Sequence, residues 1–291
     1  MNYHLPLFEV FLTEVGPRDG LQSYPSFIPT SNKIKIIENL IEAGLKNIQI
    51  TSFVNPKKVP QFKDAEEIVK YFRNTDLILT NLVLNKKGLE RALSVGAKGV
   101  EISISASNDF NLKNTGMSKK DSIVSLKDML LIAKKNGLYI RGSIQCCFGY
   151  VKSYDVSLED ILEIVDIYLD VGVDEIVFAD TTARANPILI SKFFENILKK
   201  VDSNIISMHF HSKMNLGIVN MYESLKFGIK RFDTSFGYLG GCPFLDKSYI
   251  NISTEEAVNL LNELNIYTGV DLNKLKKCSN FLNNNEEIGK R

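Results

Sequence analysis

Along the whole 291-residue chain, short apolar segments alternate with longer amphipathic ones, and this alternation restricts the fold more than any other feature. The strand-type segments span residues 8–15, 47–51, 77–83, 99–103, 139–143, 175–179, 205–209 and 231–235. Each is short, rich in Ile, Val or Phe, and bounded by polar residues or glycine. Helical patterns lie between them. Residues 31–43 place Ile34, Ile37, Leu40 and Ile41 on one face and stop at Gly44. Residues 87–95, 118–136, 157–171 and 215–227 each run into a glycine, and 187–200 opens on Pro187, which suits a first helical turn. Strict alternation of buried-type strands with helices calls for a parallel sheet with helical crossovers. Eight such units call for closure into an α/β (β/α)8 barrel. No glycine-rich dinucleotide fingerprint follows the first strand, which argues against an open nucleotide-binding sheet. Two later helices, 254–264 and 271–280, are expected to pack on the barrel end, and the polar tail 283–291 to fray. The expectation is one barrel domain over residues 1–291 with additional C-terminal helices.

Composition narrows the function. Lys+Arg 35 against Asp+Glu 34 leaves a net charge of +1, so no global field favours nucleic acid or a membrane surface. No stretch of about 18 apolar residues is present, as a spanning helix requires. The four cysteines, Cys146, Cys147, Cys242 and Cys278, form no C-x-x-C pair. They read as reduced thiols, and with no leader pattern in residues 1–10 the expected location is the cytoplasm.

Chemistry in such a barrel gathers at the C-terminal strand ends. Strand 7 runs out into His209-Phe210-His211, holding two of only three histidines. Alternate strand residues share a face, so both imidazoles can point into the barrel mouth, and Asp19 would complete a mixed nitrogen–oxygen metal site. Two ordinary histidines hydrogen-bonded to loops remain the other reading. Arg18-Asp19 is either a buried ion pair or an oxyanion-stabilising arginine beside a ligand. Cys242, between Gly240-Gly241 and Pro243, is either an inert thiol or one that a closing loop brings to a reacting carbon. Asp180 on strand 6 is a further site carboxylate or an ion-pair partner. Glu101 is read as facing away from the mouth if Ser103 and Ser105 face it, and is set aside. Arg141, alone in an apolar strand pattern, needs a carboxylate, for which Asp180 is the candidate. Cys146 and Cys147 read as packing.

Several long segments resemble the 3-hydroxy-3-methylglutaryl-CoA lyase family. They are Glu14-Val15-Gly16-Pro17-Arg18-Asp19-Gly20-Leu21-Gln22, the run from Thr51 to Gln61, His209-Phe210-His211 with Gly217 and Asn220, and Gly240-Gly241-Cys242-Pro243 with Asn251. The resemblance covers residues 8–275. It implies a metal-dependent barrel that cleaves an acyl-CoA to acetyl-CoA and acetoacetate. It implies Mg2+ or Mn2+ on Asp19, His209, His211 and Asn251. By the same resemblance Arg18 stabilises the departing enolate, Cys242 takes part in proton transfer, and His209 doubles as ligand and catalytic group. Asp180 would join them as a catalytic carboxylate, and Gln22, Gln49, Asn114 and Arg141 would bind substrate. Members of this family are often homodimers, which makes a homodimer the expectation.

The chain departs from the family pattern on the substrate side. Gln49 stands where the family has Glu, and an amide cannot take a proton at neutral pH. Ser212 replaces Asp, Val177 replaces a small polar residue, and Tyr238 replaces a glycine before Cys242. Gly149-Tyr150-Val151 stands where a Gly-Cys-Pro is expected. Three functions follow. The first is lysis of 3-hydroxy-3-methylglutaryl-CoA or a close 3-hydroxyacyl-CoA. The second is a Claisen-type or retro-aldol reaction on another acyl-CoA or oxo acid. The third is a non-catalytic binding barrel.

Overall fold

A computed structural model of the chain describes residues 9–152, 155–240, 250–285 and 288. Eight parallel strands close on themselves: β1 Phe11–Glu14, β2 Asn47–Ser52, β3 Ile78–Val83, β4 Gly99–Ser105, β5 Tyr139–Gln145, β6 Glu175–Asp180, β7 Ile206–Ser212 and β8 Arg231–Thr234. β1 pairs with both β2 and β8, and β6 with β7, so the barrel has no open edge. The outer helices are α1 Thr30–Glu42, α2 Ala65–Phe72, α3 Lys86–Ser94, α4 Asn108–Thr115, α5 Lys119–Lys135, α6 Leu158–Val171, α7 Pro187–Ile197 and α8 Leu216–Leu225. A short strand, β9 Ile250–Asn251, runs antiparallel to the end of β7 and pairs Asn251 with His211. Helices α9 Thr254–Glu263 and α10 Leu272–Asn284 follow.

The fold is the expected (β/α)8 barrel with two extra C-terminal helices. Two helices were not anticipated. The sequence of α2 buries Ala65, Ile68, Val69 and Phe72, an i, i+3, i+4, i+7 stripe that is short but regular. By contrast α4 is rich in Asn and Asp, and its formation rests on its cap: Ser107 accepts from the Phe110 backbone. At the C-terminus α10 reaches Asn284, and Ile288 is buried, so Asn283 and Asn284 belong to a helix rather than to a frayed tail.

Local chemistry sets the helix ends. Ser157 and Asp160 form a reciprocal capping box at the start of α6, and Gly172 ends that helix in the left-handed region at φ 70°. The ring of Tyr168 on α6 lies against Gly142 of β5, where a Cβ would meet it at 2.6 Å. The Tyr168 hydroxyl lies 3.1 Å from the carbonyl of Ile102 and 3.0 Å from that of Ser143, which ties α6 to two strands.

The apolar core fills the space between strands and helices, with Ile48, Ile102, Ile140, Ile176, Met208 and Phe232 facing outward from the strands. The barrel interior is different. Side chains there are usually branched and apolar, yet Glu101, Arg141, Glu175 and Asp233 are all buried in this one. Among the described residues no helix is long and apolar enough to cross a membrane.

Candidate metal centre and active site

A cavity of about 180 Å³ opens at the C-terminal strand ends. Arg18, Asp19, Gln22, His209 and His211 are among its polar lining residues, and Val54, Val59, Leu82, Leu84 and Phe110 among the apolar ones. Asn114, from the last turn of α4, also reaches it.

The metal reading of His209 and His211 rests on the protonation each ring is forced into. The Nδ1 atom of His211 lies 2.7 Å from the Thr181 carbonyl, and Nδ1 of His209 lies 3.1 Å from Asp233. Both partners only accept, so both Nδ1 atoms carry hydrogen and both Nε2 lone pairs turn inward. They meet 3.3 Å apart, with Asp19 Oδ2 3.9 Å from His211 Nε2. Two facing lone pairs and a carboxylate repel one another unless a cation or a proton sits among them. The ligand atoms of Asp19, His209 and His211 lie within 4.8 Å of one another, which suits a divalent ion. Asn251, delivered by β9, donates its Nδ2 to Asp19 at 2.8 Å, while its buried Oδ1 has no hydrogen-bond partner among the described residues. A buried amide oxygen without a donor is costly, and it suits a fourth ligand. The residues present therefore fit the cation that the sequence implied.

Electrostatics agree. Burial opposes ionisation of Asp19, but Arg18 beside it, with His211 and His209, holds its carboxyl far below the usual range. Burial alone would lower the His209 pKa, and the hydrogen bond and charge of Asp233 outweigh it and raise it. The short turn Gly16–Gly20 aims Arg18 and Asp19 into the mouth. Arg18 Nε donates to Gln49 Oε1 and its Nη1 to Asp19. Gln22 Nε2 donates to Asp19 at 3.0 Å.

Three expectations require correction. Glu101 lines the cavity and accepts from Gln49 at 2.7 Å. Residues 101 and 103 are two apart on β4 and so share a face, which makes Glu101 a residue of the barrel interior. Arg141 does not pair with Asp180; it bonds Glu101 at 2.8 Å, Glu175 at 3.0 Å and Asp233 at 2.5 Å. It is 1% exposed and is not among the residues that line the cavity. Asp180 pairs in register with Phe210, whose side chain faces away from the histidines. Its two oxygens accept from the backbones of Arg184 and Ala185, an arrangement that shapes the loop after β6. Burial pushes its carboxyl up to about 6.

Among the departures, Val177 is buried in the barrel, and Ser212 accepts from the Gly217 backbone at 3.2 Å. Tyr238 sits at φ 58°, the region where glycine is usual, and is half exposed. Cys146 and Cys147 are buried, as expected of packing residues. Cys242, with Gly241 and Pro243, lies outside the described residues. Glu14, first noticed only as part of a motif, accepts from the backbones of Gly16 at 2.7 Å and Phe236 at 3.1 Å and lies 2.7 Å from the Thr254 hydroxyl. Nothing in the spacing of Glu101 or Asp233 singled them out as site residues. A carboxylate on the inward face of a strand was the available signal.

Residues 9–282 match the HMGL-like family. A hydroxymethylglutaryl-CoA lyase of Bacillus subtilis is 36% identical over 97% of this chain and 94% of its own length. An (R)-citramalyl-CoA lyase of Chloroflexus aurantiacus is 32% identical over 94% of this chain and 90% of its own. Among solved structures, an HMG-CoA lyase from Acinetobacter baumannii in complex with coenzyme A and 3-methylmalate superposes with a TM-score of 0.90 at 33% identity, covering 97% of this chain and 92% of that one. With a match over nearly its whole length, with relatives above 30% identity, and with the same barrel, the chain belongs to the HMGL-like family.

Proposed function

We propose that the chain cleaves 3-hydroxy-3-methylglutaryl-CoA, or a close 3-hydroxyacyl-CoA, to acetyl-CoA and a 3-oxo acid, using Mg2+ or Mn2+ on Asp19, His209, His211 and Asn251. As a member of this family it is a carbon–carbon lyase acting on an acyl-CoA. The observation that carries the metal part is the inward convergence of two imidazole Nε2 atoms on Asp19, beside the unpartnered Asn251 Oδ1. A bound divalent cation supplies Lewis acidity at the substrate's tertiary hydroxyl and neighbouring oxygen.

The chain's own residues do the rest. Arg18 is fixed by Gln49 and Asp19, and its guanidinium stands ready for the oxyanion of the departing acetyl unit. His209, with Nδ1–H held by Asp233, has one inward lone pair, on Nε2, which would serve as ligand to the cation and takes the hydroxyl proton only when it is off the cation. Gln22 and Asn114 line the cavity and offer amide contacts to substrate, while Gln49 serves substrate through Arg18. Cys242 supplies the proton that the acetyl carbanion needs. The apolar wall formed by Val54, Val59, Leu82, Leu84 and Phe110 keeps water from that carbanion.

We propose a cytoplasmic location and a homodimer, the latter to be read by sedimentation. The cleavage test is direct: incubate purified protein with the thioester and Mn2+ and follow acetyl-CoA by mass. The expected result is release that stops after chelation. An intact thioester at long incubation would sink the proposal. The (R)-citramalyl-CoA lyase relative supports one second substrate, (R)-citramalyl-CoA, to be run in parallel.

A further inference from the structure

The buried charges under the cavity form one continuous chain of hydrogen bonds. Arg18 Nε donates to Gln49 Oε1. Gln49 Nε2 donates to Glu101 Oε2 at 2.7 Å, and Arg141 Nη1 donates to the same oxygen at 2.8 Å. Arg141 Nη2 donates to Asp233 Oδ1 at 2.5 Å, and Asp233 Oδ2 meets His209 Nδ1 at 3.1 Å. The chain thus runs from the arginine of the first loop to the histidine of β7, through residues on β2, β4, β5 and β8.

Every direction in it is forced. A guanidinium only donates and an ionised carboxylate only accepts. The Gln49 amide therefore turns nitrogen to Glu101 and oxygen to Arg18. Asp233, likewise an acceptor, requires hydrogen on His209 Nδ1 and so leaves Nε2 facing Asp19. Arg141 is the one member that touches both arms, and its third direction is taken by Glu175 at 3.0 Å. With the guanidinium gone, Glu101 and Asp233 repel each other as buried carboxylates. The side chain is 1% exposed and does not line the cavity, whereas its neighbours Glu101 and Ser143 do.

We propose that Arg141 is a positioning residue that orients Arg18 through Glu101 and Gln49, and His209 through Asp233, with no contact to substrate. The proposal rests on the lyase reading only in treating Arg18 and His209 as the groups worth orienting. A lysine cannot replace it, because one ammonium cannot hold three carboxylates in the fork geometry of a guanidinium.

The test uses full-length Arg141→Lys, Asp233→Asn and Glu101→Ala. Three readouts are followed: melting temperature, Mn2+ affinity, and the imidazole nitrogens of 15N-histidine-labelled, metal-free protein. In the wild type His209 shows hydrogen on Nδ1. Arg141→Lys is expected to mix its tautomers and to weaken Mn2+ binding by about 10–100-fold, as loss of an outer-shell partner does. It should lower kcat with KM changed by less than about threefold, the pattern of a lost transition-state interaction. Asp233→Asn should reproduce the imidazole and Mn2+ changes, and Glu101→Ala should lower kcat while leaving Mn2+ affinity intact. If Arg141→Lys is insoluble, those two variants carry the test. A rise in KM alone would make Arg141 a substrate contact and overturn the proposal. So would a lowered melting temperature with wild-type His209 signals and Mn2+ affinity. Should the wild type cleave no thioester, the lyase reading fails, while the imidazole and Mn2+ results still decide this one.

Discussion

At the scale of single residues, the metal centre is held by unusually close packing. Gly240 lies over Asn251, and a Cβ on it would come within 1.9 Å of Asn251 Nδ2, at a backbone φ of +101° that disfavours any side chain. Gly240→Ala is therefore expected to displace Asn251 and to weaken Mn2+ binding at least tenfold, a loss of about 1.4 kcal/mol, without removing a ligand. Calorimetric titration measures it, and unchanged affinity would show that Asn251 is not a ligand. Tyr238 tests the opposite case. Its left-handed backbone costs a non-glycine residue roughly 1–2 kcal/mol, so Tyr238→Gly should raise the urea midpoint of unfolding. The sequence displayed the pieces of the centre unevenly. His209 and His211 were visible through strand periodicity, and Asn251 only through resemblance, because a two-residue strand delivers it from the far end of the chain. Glu101 was missed by a miscounted alternation, and Asp233 because a lone carboxylate in a strand carries no signature.

At the scale of elements, strand and helix order was legible because each unit repeats the same apolar period and most helices run into a glycine. What escaped were the short α2 and also α4, whose sequence Asn108–Thr115 buries little beyond Phe110 and Asn111. Its identity depends on capping and on the barrel beneath it. The capping box of α6 gives a measurable case of the same principle. Ser157→Ala removes the side-chain acceptor for the Asp160 backbone and should cost about 1 kcal/mol in urea unfolding. Helix α6 matters to the site indirectly: the Tyr168 hydroxyl reaches the carbonyls of β4 and β5, the strands that carry Glu101 and Arg141.

At the scale of the whole molecule, the first strand, the last turn and the C-terminal helices meet at Glu14. Its oxygens face the backbone of Phe236 and the hydroxyl of Thr254, which lies 2.9 Å from that of Thr234. Burial pushes the Glu14 carboxyl up to about 8, against the opposing pull of the Thr254 hydroxyl and the Gly16 and Phe236 backbones that donate to it. The linkage sign follows. Between the ordinary carboxyl value of 4.5 and about 8, the folded chain keeps a proton that the unfolded chain releases. Stability from this group is whole below that window and is lost as pH rises through it. Glu14→Gln, which keeps one donor and one acceptor, should flatten the fall in stability measured by urea unfolding between about pH 5.5 and about pH 9. An unchanged slope would place the cause elsewhere. The central claim about this barrel is that its mouth holds a divalent cation between two imidazoles and a carboxylate. Electron spin-echo spectroscopy of the Mn2+-loaded protein reads the ligands directly. Coupling to two imidazole nitrogens that falls to one in His211→Ala is the expected result; a spectrum with no nitrogen coupling would rule out a cation held by these histidines.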